Sequence, residues 1–154
     1  AARDGGASVE QHPADKDATD LELALDAATA LGTRRIHVLG GYGGRFDHLL
    51  ANALLLARAA YAAAEITAQM GAARVTVVRD RASLLGSVGD LVSLLAVGGP
   101  ATGVRTEGLE YPLRGEQLDA GSTRGVSNVF AAPSAAVSLE NGVLLAVQPR
   151  RGGS

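Results

Sequence analysis

Cysteine and tryptophan are missing from this 154-residue chain, and its aromatic residues amount to three tyrosines and two phenylalanines. Without cysteine there is no disulfide framework, no thiolate zinc site and no thiol nucleophile. Lysine is nearly missing as well: of 14 basic residues only Lys16 is a lysine, and arginine supplies the rest. Arginine, alanine and glycine share GC-rich codons, so base composition accounts for part of this bias. No charge of one sign dominates. The 14 Lys+Arg against 16 Asp+Glu leave −2, which argues against a nucleic-acid binder or a polybasic membrane module. Charged residues at 19% with so little net charge do not fit disorder, and 47% apolar residues suffice for a core. Long apolar runs are absent too. Ala1 to Glu10 has no signal-peptide apolar segment, and Leu49 to Ala64 is interrupted by Asn52 and Arg58, short of the ~20 residues of a membrane span. The expectation is a soluble, globular, cytoplasmic protein with no nucleic-acid or membrane partner.

What is present changes texture along the chain. Ser8 to His12 reads as a short strand. Asp17 to Leu31 reads as a helix, with Leu21, Ala24, Leu25 and Ala28 on one face. Thr19 and Glu22 form a capping-box pattern at its start, and Gly32 stops it. Arg35 to Leu39 reads as a buried parallel strand, Phe46 to Met70 as one long helix, and Arg74 to Arg79 as a further strand. The order β-α-β-α-β predicts a parallel sheet with helices on its faces. After about Arg81 short alternating segments recur between Gly, Pro and Asn-Gly turns. Strands are expected at Asp90–Val97, Gly103–Thr106, Leu109–Leu113, Val126–Ala131, Ala135–Leu139 and Val143–Val147, the last two joined as a hairpin through Asn141-Gly142. The fold class is thus α/β followed by all-β. Residues 1–82 form a partial parallel-sheet, Rossmann-like domain, and residues 83–150 a small antiparallel β-sandwich. Three strands and two helices are few for an open sheet, and only about fifteen residues precede the first helix, so a missing N-terminal piece is expected.

Three clusters can carry chemistry. Asp17 and Asp20, at i and i+3 on a helix start, are oxygen ligands of the kind Mg²⁺ takes beside phosphate, with Lys16 adding a point charge. Helix capping and dipole compensation explain the same residues, and spacing alone favours that plainer account. The loop Gly40-Gly41-Tyr42-Gly43-Gly44-Arg45, followed by Phe46-Asp47-His48, joins a strand to a helix. Its glycines let backbone N–H groups approach an anion, Arg45 can grip phosphate, and Asp47 can orient Arg45 or bind metal. His48 reads as a surface helix residue. Ser127-Asn128, after Gly125-Val126, can offer a hydroxyl and an amide to a heterocycle, or simply turn the chain into a strand.

The order of these motifs resembles the thiamine pyrophosphokinase family. The resemblance rests on Lys16-Asp17-x-Thr19-Asp20 with Leu21-Glu22-x-Ala24-Leu25, and on Gly43-Gly44-Arg45-Phe46-Asp47-His48. Leu94-Leu95, Gly98-Gly99-Pro100 and Val104-x-Thr106-x-Gly108-Leu109-x-Tyr111-Pro112-Leu113 continue it, and Gly125-Val126-Ser127-Asn128 and Gly142-Val143-Leu144-Leu145 close it. It implies transfer of pyrophosphate from ATP to thiamine, giving thiamine diphosphate and AMP, by a homodimer with shared sites. Asp17 and Asp20 would belong to the Mg²⁺–ATP site, with Asp20 the more important. Lys16, Thr19, Gly43, Gly44, Arg45 and Asp47 would bind ATP, and Thr106, Ser127 and Asn128 would lie by thiamine. Tyr111 and Phe130 are the rings left to face the substrate, and Val129 departs from the acidic residue many members carry there. The family's early acidic motif has no counterpart, which leaves a non-catalytic nucleotide- or thiamine-binding module as the alternative.

Overall fold

The computed structural model describes residues 17–149. Lys16 and the expected strand at Ser8–His12 lie outside them. The first helix, α1 (Asp20–Ala30), starts where Thr19 takes an extended conformation and its Oγ1 accepts the Glu22 N–H at 3.2 Å. Gly32, at φ +70°, ends it. Next come β1 (Arg35–Leu39) and α2 (Phe46–Leu56), then a 3-10 turn (Ala59–Tyr61), β2 (Glu65–Met70) and β3 (Ala73–Val78). The remainder is β4 (Arg81–Leu85), β5 (Leu91–Ala96), β6 (Ala101–Glu107), β7 (Arg114–Leu118), β8 (Asn128–Val129), β9 (Ser134–Ser138) and β10 (Leu144–Gln148). Among the described residues no helix is long and apolar enough to cross a membrane.

The strands make two sheets, one in the order β1-β2-β3-β10-β5-β8 and one in the order β4-β9-β6-β7. In the first, β1 and β2 run parallel, Arg35 opposite Glu65 through Leu39 opposite Gln69. All its other pairings are antiparallel, as are those of the second sheet. The α/β start and the antiparallel sheet are as expected from the sequence; the wholly parallel first sheet is corrected to a mixed one.

Two further corrections share a cause, a partner remote in sequence. The expected helix through Met70 stops at Leu56. Arg79, just past β3, donates Nη2 to the carbonyls of Ala57 (2.8 Å) and Arg58 (2.9 Å), so the C-cap carbonyl and the next one are held from outside. Beyond it Glu65–Met70 alternates exposed and buried positions. Ala64 and Ala68 fit the helical and the strand period alike, so the sequence pattern does not mark the change. The Asn141-Gly142 hairpin is also absent: β9 pairs with β4 and β6, whereas β10 pairs with β3 and β5. The turn passes the chain between sheets, and Thr102 N–H donates to Asn141 O at 2.9 Å. Gly142 has φ +97°, and a Cβ there would lie 2.5 Å from Pro100 O. Leu109–Leu113 is irregular apart from a bridge from Leu109 to Phe130, and the expected strand at Val126–Ala131 shrinks to β8.

Two apolar cores lie on opposite faces of the first sheet. Leu144 and Ala146 of β10 face the sandwich core with Val104, Phe130 and Val137, while Leu145 faces Leu25, Leu56 and Ile66 under the helices. Each leucine so buried contributes roughly 1.5–3 kcal/mol.

Candidate functional site

The carboxyl end of β1 opens into a cleft of about 370 Å³ lined by Ala18, Thr19, Asp20, Leu21, Gly41, His48 and Asn52. Its shape follows from local chemistry. Gly40 and Gly41, at φ +110° and +80°, turn the chain away from β1, and the Gly40 N–H remains bonded to Gln69 O at 3.0 Å. Asn52, on the second turn of α2, donates Nδ2 to Gly41 O at 3.0 Å and holds the loop down. The first turns of α1 and α2 therefore meet at one opening. Their dipoles favour an anion there, and Asp20 supplies a carboxylate beside it.

Of the other residues expected at this site, Thr19 lines that opening, whereas Asp17, Gly43, Gly44, Arg45 and Asp47 do not. Asp17 precedes the Thr19 cap, so it is not on the first helical turn with Asp20, and it is not among the cleft walls. Arg45 is the N-cap residue of α2 and grips Asp47 by two bonds, Nε to Oδ1 at 3.2 Å and Nη2 to Oδ2 at 2.6 Å. This contact holds the Asp47 carboxyl below its usual range and raises the Arg45 guanidinium. Both side chains are exposed, at 67% and 64%, so the fork presents its guanidinium to solvent. Gly43 and Gly44 form the exposed turn before it. His48 and Asn52 line the cleft although sequence reasoning left both aside. Their i, i+4 spacing after a glycine loop is the signal that marks them.

Oxygen donors at Asp20 and nearby Asp17 suit a hard cation that keeps most of its water, such as Mg²⁺. Among the described residues no group of three or more His, Cys, Asp or Glu could hold an ion unaided. Phosphate oxygens and water would have to complete the shell, which is the usual arrangement for Mg²⁺ with a nucleotide.

A second cleft, about 500 Å³, lies on the sandwich between Tyr111-Pro112-Leu113, Glu116 and the segment Arg124 to Asn128. Gly125 makes the approach possible: its carbonyl accepts the Leu94 N–H at 2.8 Å, and a Cβ there would meet Leu94 O at 2.2 Å. Ser127 then takes φ +60°, an uncommon conformation for a side-chain-bearing residue, with its N–H on Ser93 Oγ at 3.1 Å. Asn128 lines the cleft, but its amide is engaged at both ends by the Tyr111 backbone. Thr106 is buried beneath, its Oγ1 accepting the Leu113 N–H at 2.8 Å, so it shapes the wall without forming it. Tyr111 is 61% exposed at the rim; Phe130 is fully buried in the core and cannot face a ligand. Glu116 and Arg124 are cleft residues that sequence reasoning missed. No short motif marks them, because a loop between β7 and β8 brings them together.

Comparison with known proteins gives this arrangement a context. Residues 2–68 match the family model for the thiamin pyrophosphokinase catalytic domain, and residues 76–144 match that for the thiamin pyrophosphokinase vitamin B1 binding domain. Among solved structures, a thiamine pyrophosphokinase from Bacillus subtilis is similar at 26% identity and TM-score 0.77, over 88% of this chain and 64% of that one. A thiamin pyrophosphokinase from Geobacillus thermodenitrificans is 31% identical, with TM-score 0.76, over 92% of this chain and 66% of that one. A family protein from Enterococcus faecalis, at 22% identity and TM-score 0.76, shares the fold. The chain thus spans just under two thirds of the length of the first two. No curated protein sequence matches it.

Proposed function

Because the chain belongs to the thiamin pyrophosphokinase family, we propose that it transfers pyrophosphate from ATP to the hydroxyethyl oxygen of thiamine, forming thiamine diphosphate and AMP. The observation that carries this reading is the meeting of two helix N-termini and Asp20 at one cleft below a glycine loop. The reaction needs alignment and charge neutralisation more than covalent chemistry. The first turns of α1 and α2 would receive phosphate oxygens on backbone N–H groups. Arg45, steadied by Asp47, would add a bidentate grip on phosphate, Gly43 and Gly44 would let the chain approach closely, and Thr19 and Lys16 belong to the same nucleotide-binding set. Asp20, with Asp17 behind it, would hold Mg²⁺. When bound, that ion supplies charge neutralisation on the transferred group. Ser127, Asn128 and Thr106 would shape the thiamine cleft, the first at its surface and the other two by fixing the chain around Tyr111 and Leu113.

On this reading the chain divides near residue 82 into a nucleotide part (1–82) and a thiamine part (83–150). It works in the cytoplasm as a homodimer with shared sites. Exposed Leu85, Val88, Leu91 and Val126 on the β-rich part support pairing of two copies. The test is formation of AMP and thiamine diphosphate from ATP, Mg²⁺ and thiamine. A second reading, a non-catalytic binding module, draws on the sparse acidic set at the first cleft. Saturable binding of thiamine or ATP with no AMP formed would favour it.

A further inference from the structure

In the second cleft two opposite charges face each other across a loose contact. Glu116, the third residue of β7, accepts the Arg114 N–H on Oε2 and turns Oε1 towards Arg124 Nη2, 3.6 Å away. That distance is beyond a hydrogen bond, and the Arg124 side chain is 58% exposed against 32% for Glu116. A pair this open holds weakly. The Arg114 N–H first, and the charges of Arg124 and Arg114 after it, keep the Glu116 carboxyl below its usual range, so it is ionised at neutral pH. Tyr111 stands on the same cleft, its ring exposed and its backbone pinned by Asn128. An ionised carboxylate and an accessible aromatic ring around one cavity are the combination that receives an organic cation.

We propose that Glu116 is the seat for the cationic part of the acceptor substrate, and that Arg124 occupies this seat while the cleft is empty. The proposal rests on thiamine being that acceptor: its thiazolium ring carries a permanent positive charge and its aminopyrimidine ring is neutral. Entry of the thiazolium exchanges one cation for another beside Glu116, so the carboxylate is not left unpaired in either state. Arg124 swings outward. Its backbone stays in place, the N–H donating to Ser122 Oγ at 3.2 Å. Glu116 thereby selects for charge on the acceptor, and Arg124 sets how tightly the acceptor is held.

Calorimetric titration of the full chain at low salt tests this, with thiamine and with its neutral half, 4-amino-5-hydroxymethyl-2-methylpyrimidine, as probes. Glu116→Gln keeps an oxygen for the Arg114 N–H and removes the charge. It is expected to weaken thiamine binding roughly fivefold or more and to leave the pyrimidine unchanged. Arg124→Met is expected to tighten thiamine binding about threefold, and the gain should vanish in the Glu116→Gln/Arg124→Met double variant. Thermal midpoints close to that of the parent protein establish that the variants fold. Unchanged thiamine binding in Glu116→Gln overturns the proposal, as does weaker binding in Arg124→Met. If the parent protein takes up no thiamine, the acceptor reading falls and this proposal falls with it; if the parent binds thiamine and Glu116→Gln binds equally, only the seat is wrong.

Discussion

Asn128 and Tyr111 are joined at both ends of one amide: Oδ1 accepts the Tyr111 N–H at 3.1 Å, and Nδ2 donates to the Tyr111 carbonyl at 2.7 Å. The same Oδ1 also receives the Val129 N–H at 2.8 Å. The side chain stands in for a strand along a stretch that has none. Removing it leaves three backbone groups without a partner, so Asn128→Ala is expected to cost about 2–3 kcal/mol in chemical denaturation. Thiamine affinity should drop with it, because the Tyr111 ring loses its fixed position. Equal affinity in a folded Asn128→Ala protein would remove Asn128 from any role in shaping the cleft.

Asp20 is the carboxylate that lines the first cleft. Asp20→Asn keeps size and helix start while removing the charge. Turnover to AMP is expected to fall by a factor of roughly 100 or more, the scale of losing the stabilisation of developing phosphate charge by the Mg²⁺ that Asp20 would hold. Thiamine binding at the other cleft should be unaffected. Steady-state kinetics beside a thiamine titration separate the two effects; unaltered turnover would exclude a metal role for Asp20.

Tyr61 is buried and donates its hydroxyl to Asp26 Oδ1 at 2.8 Å, tying the turn before β2 to α1. Burial, with the Asp26 contact second, pushes its pKa up to about 12. The folded state therefore binds this proton more tightly than the unfolded chain, in which tyrosine titrates near ~10. Its stabilising effect is complete below pH ~10 and declines as the pH rises towards 12. Alkaline denaturation should show this loss of stability in the parent protein. Tyr61→Phe should be less stable at neutral pH by about 1 kcal/mol and lack that pH dependence.

Arg79 accounts for the end of α2. Arg79→Met removes the Arg79 donor from the Ala57 carbonyl and leaves the Arg58 carbonyl only the Tyr61 N–H, and a loss of about 1–2 kcal/mol is expected in denaturant titration. Hydrogen exchange should rise first in the last turn of α2. No change in either would mean that water serves those carbonyls as well as Arg79 does.

Legibility in the sequence tracked the range of the interactions. The start of α1 was readable because Thr19 and Glu22 are three residues apart and make the contact themselves. The antiparallel texture after Arg81 was readable from alternation and turns. The end of α2 was not, because Arg79 stops it from 21 and 22 residues away. The Asn141-Gly142 hairpin misled for a similar reason: local turn chemistry was right, but β10 finds its partners in β3 and β5. At the clefts, the glycine loop and the Ser127-Asn128 turn were visible as motifs. The Glu116–Arg124 pair and the pinning of Tyr111 by Asn128 were not, since both are contacts between loops and strands that no spacing rule encodes.

The position of β10 has a consequence for how the protein comes into being. Of all the described strands it is synthesised last, yet it lies between β3 and β5 and contributes to both cores. Until it emerges from the ribosome, neither core can close, and β3 and β5 present bare edges to the cell. Assembly is therefore expected to wait until β10 has emerged, with chaperones or dilution guarding the nascent chain against aggregation. A ribosome-stalled chain ending before Leu144 should remain open to protease at β3 and β5.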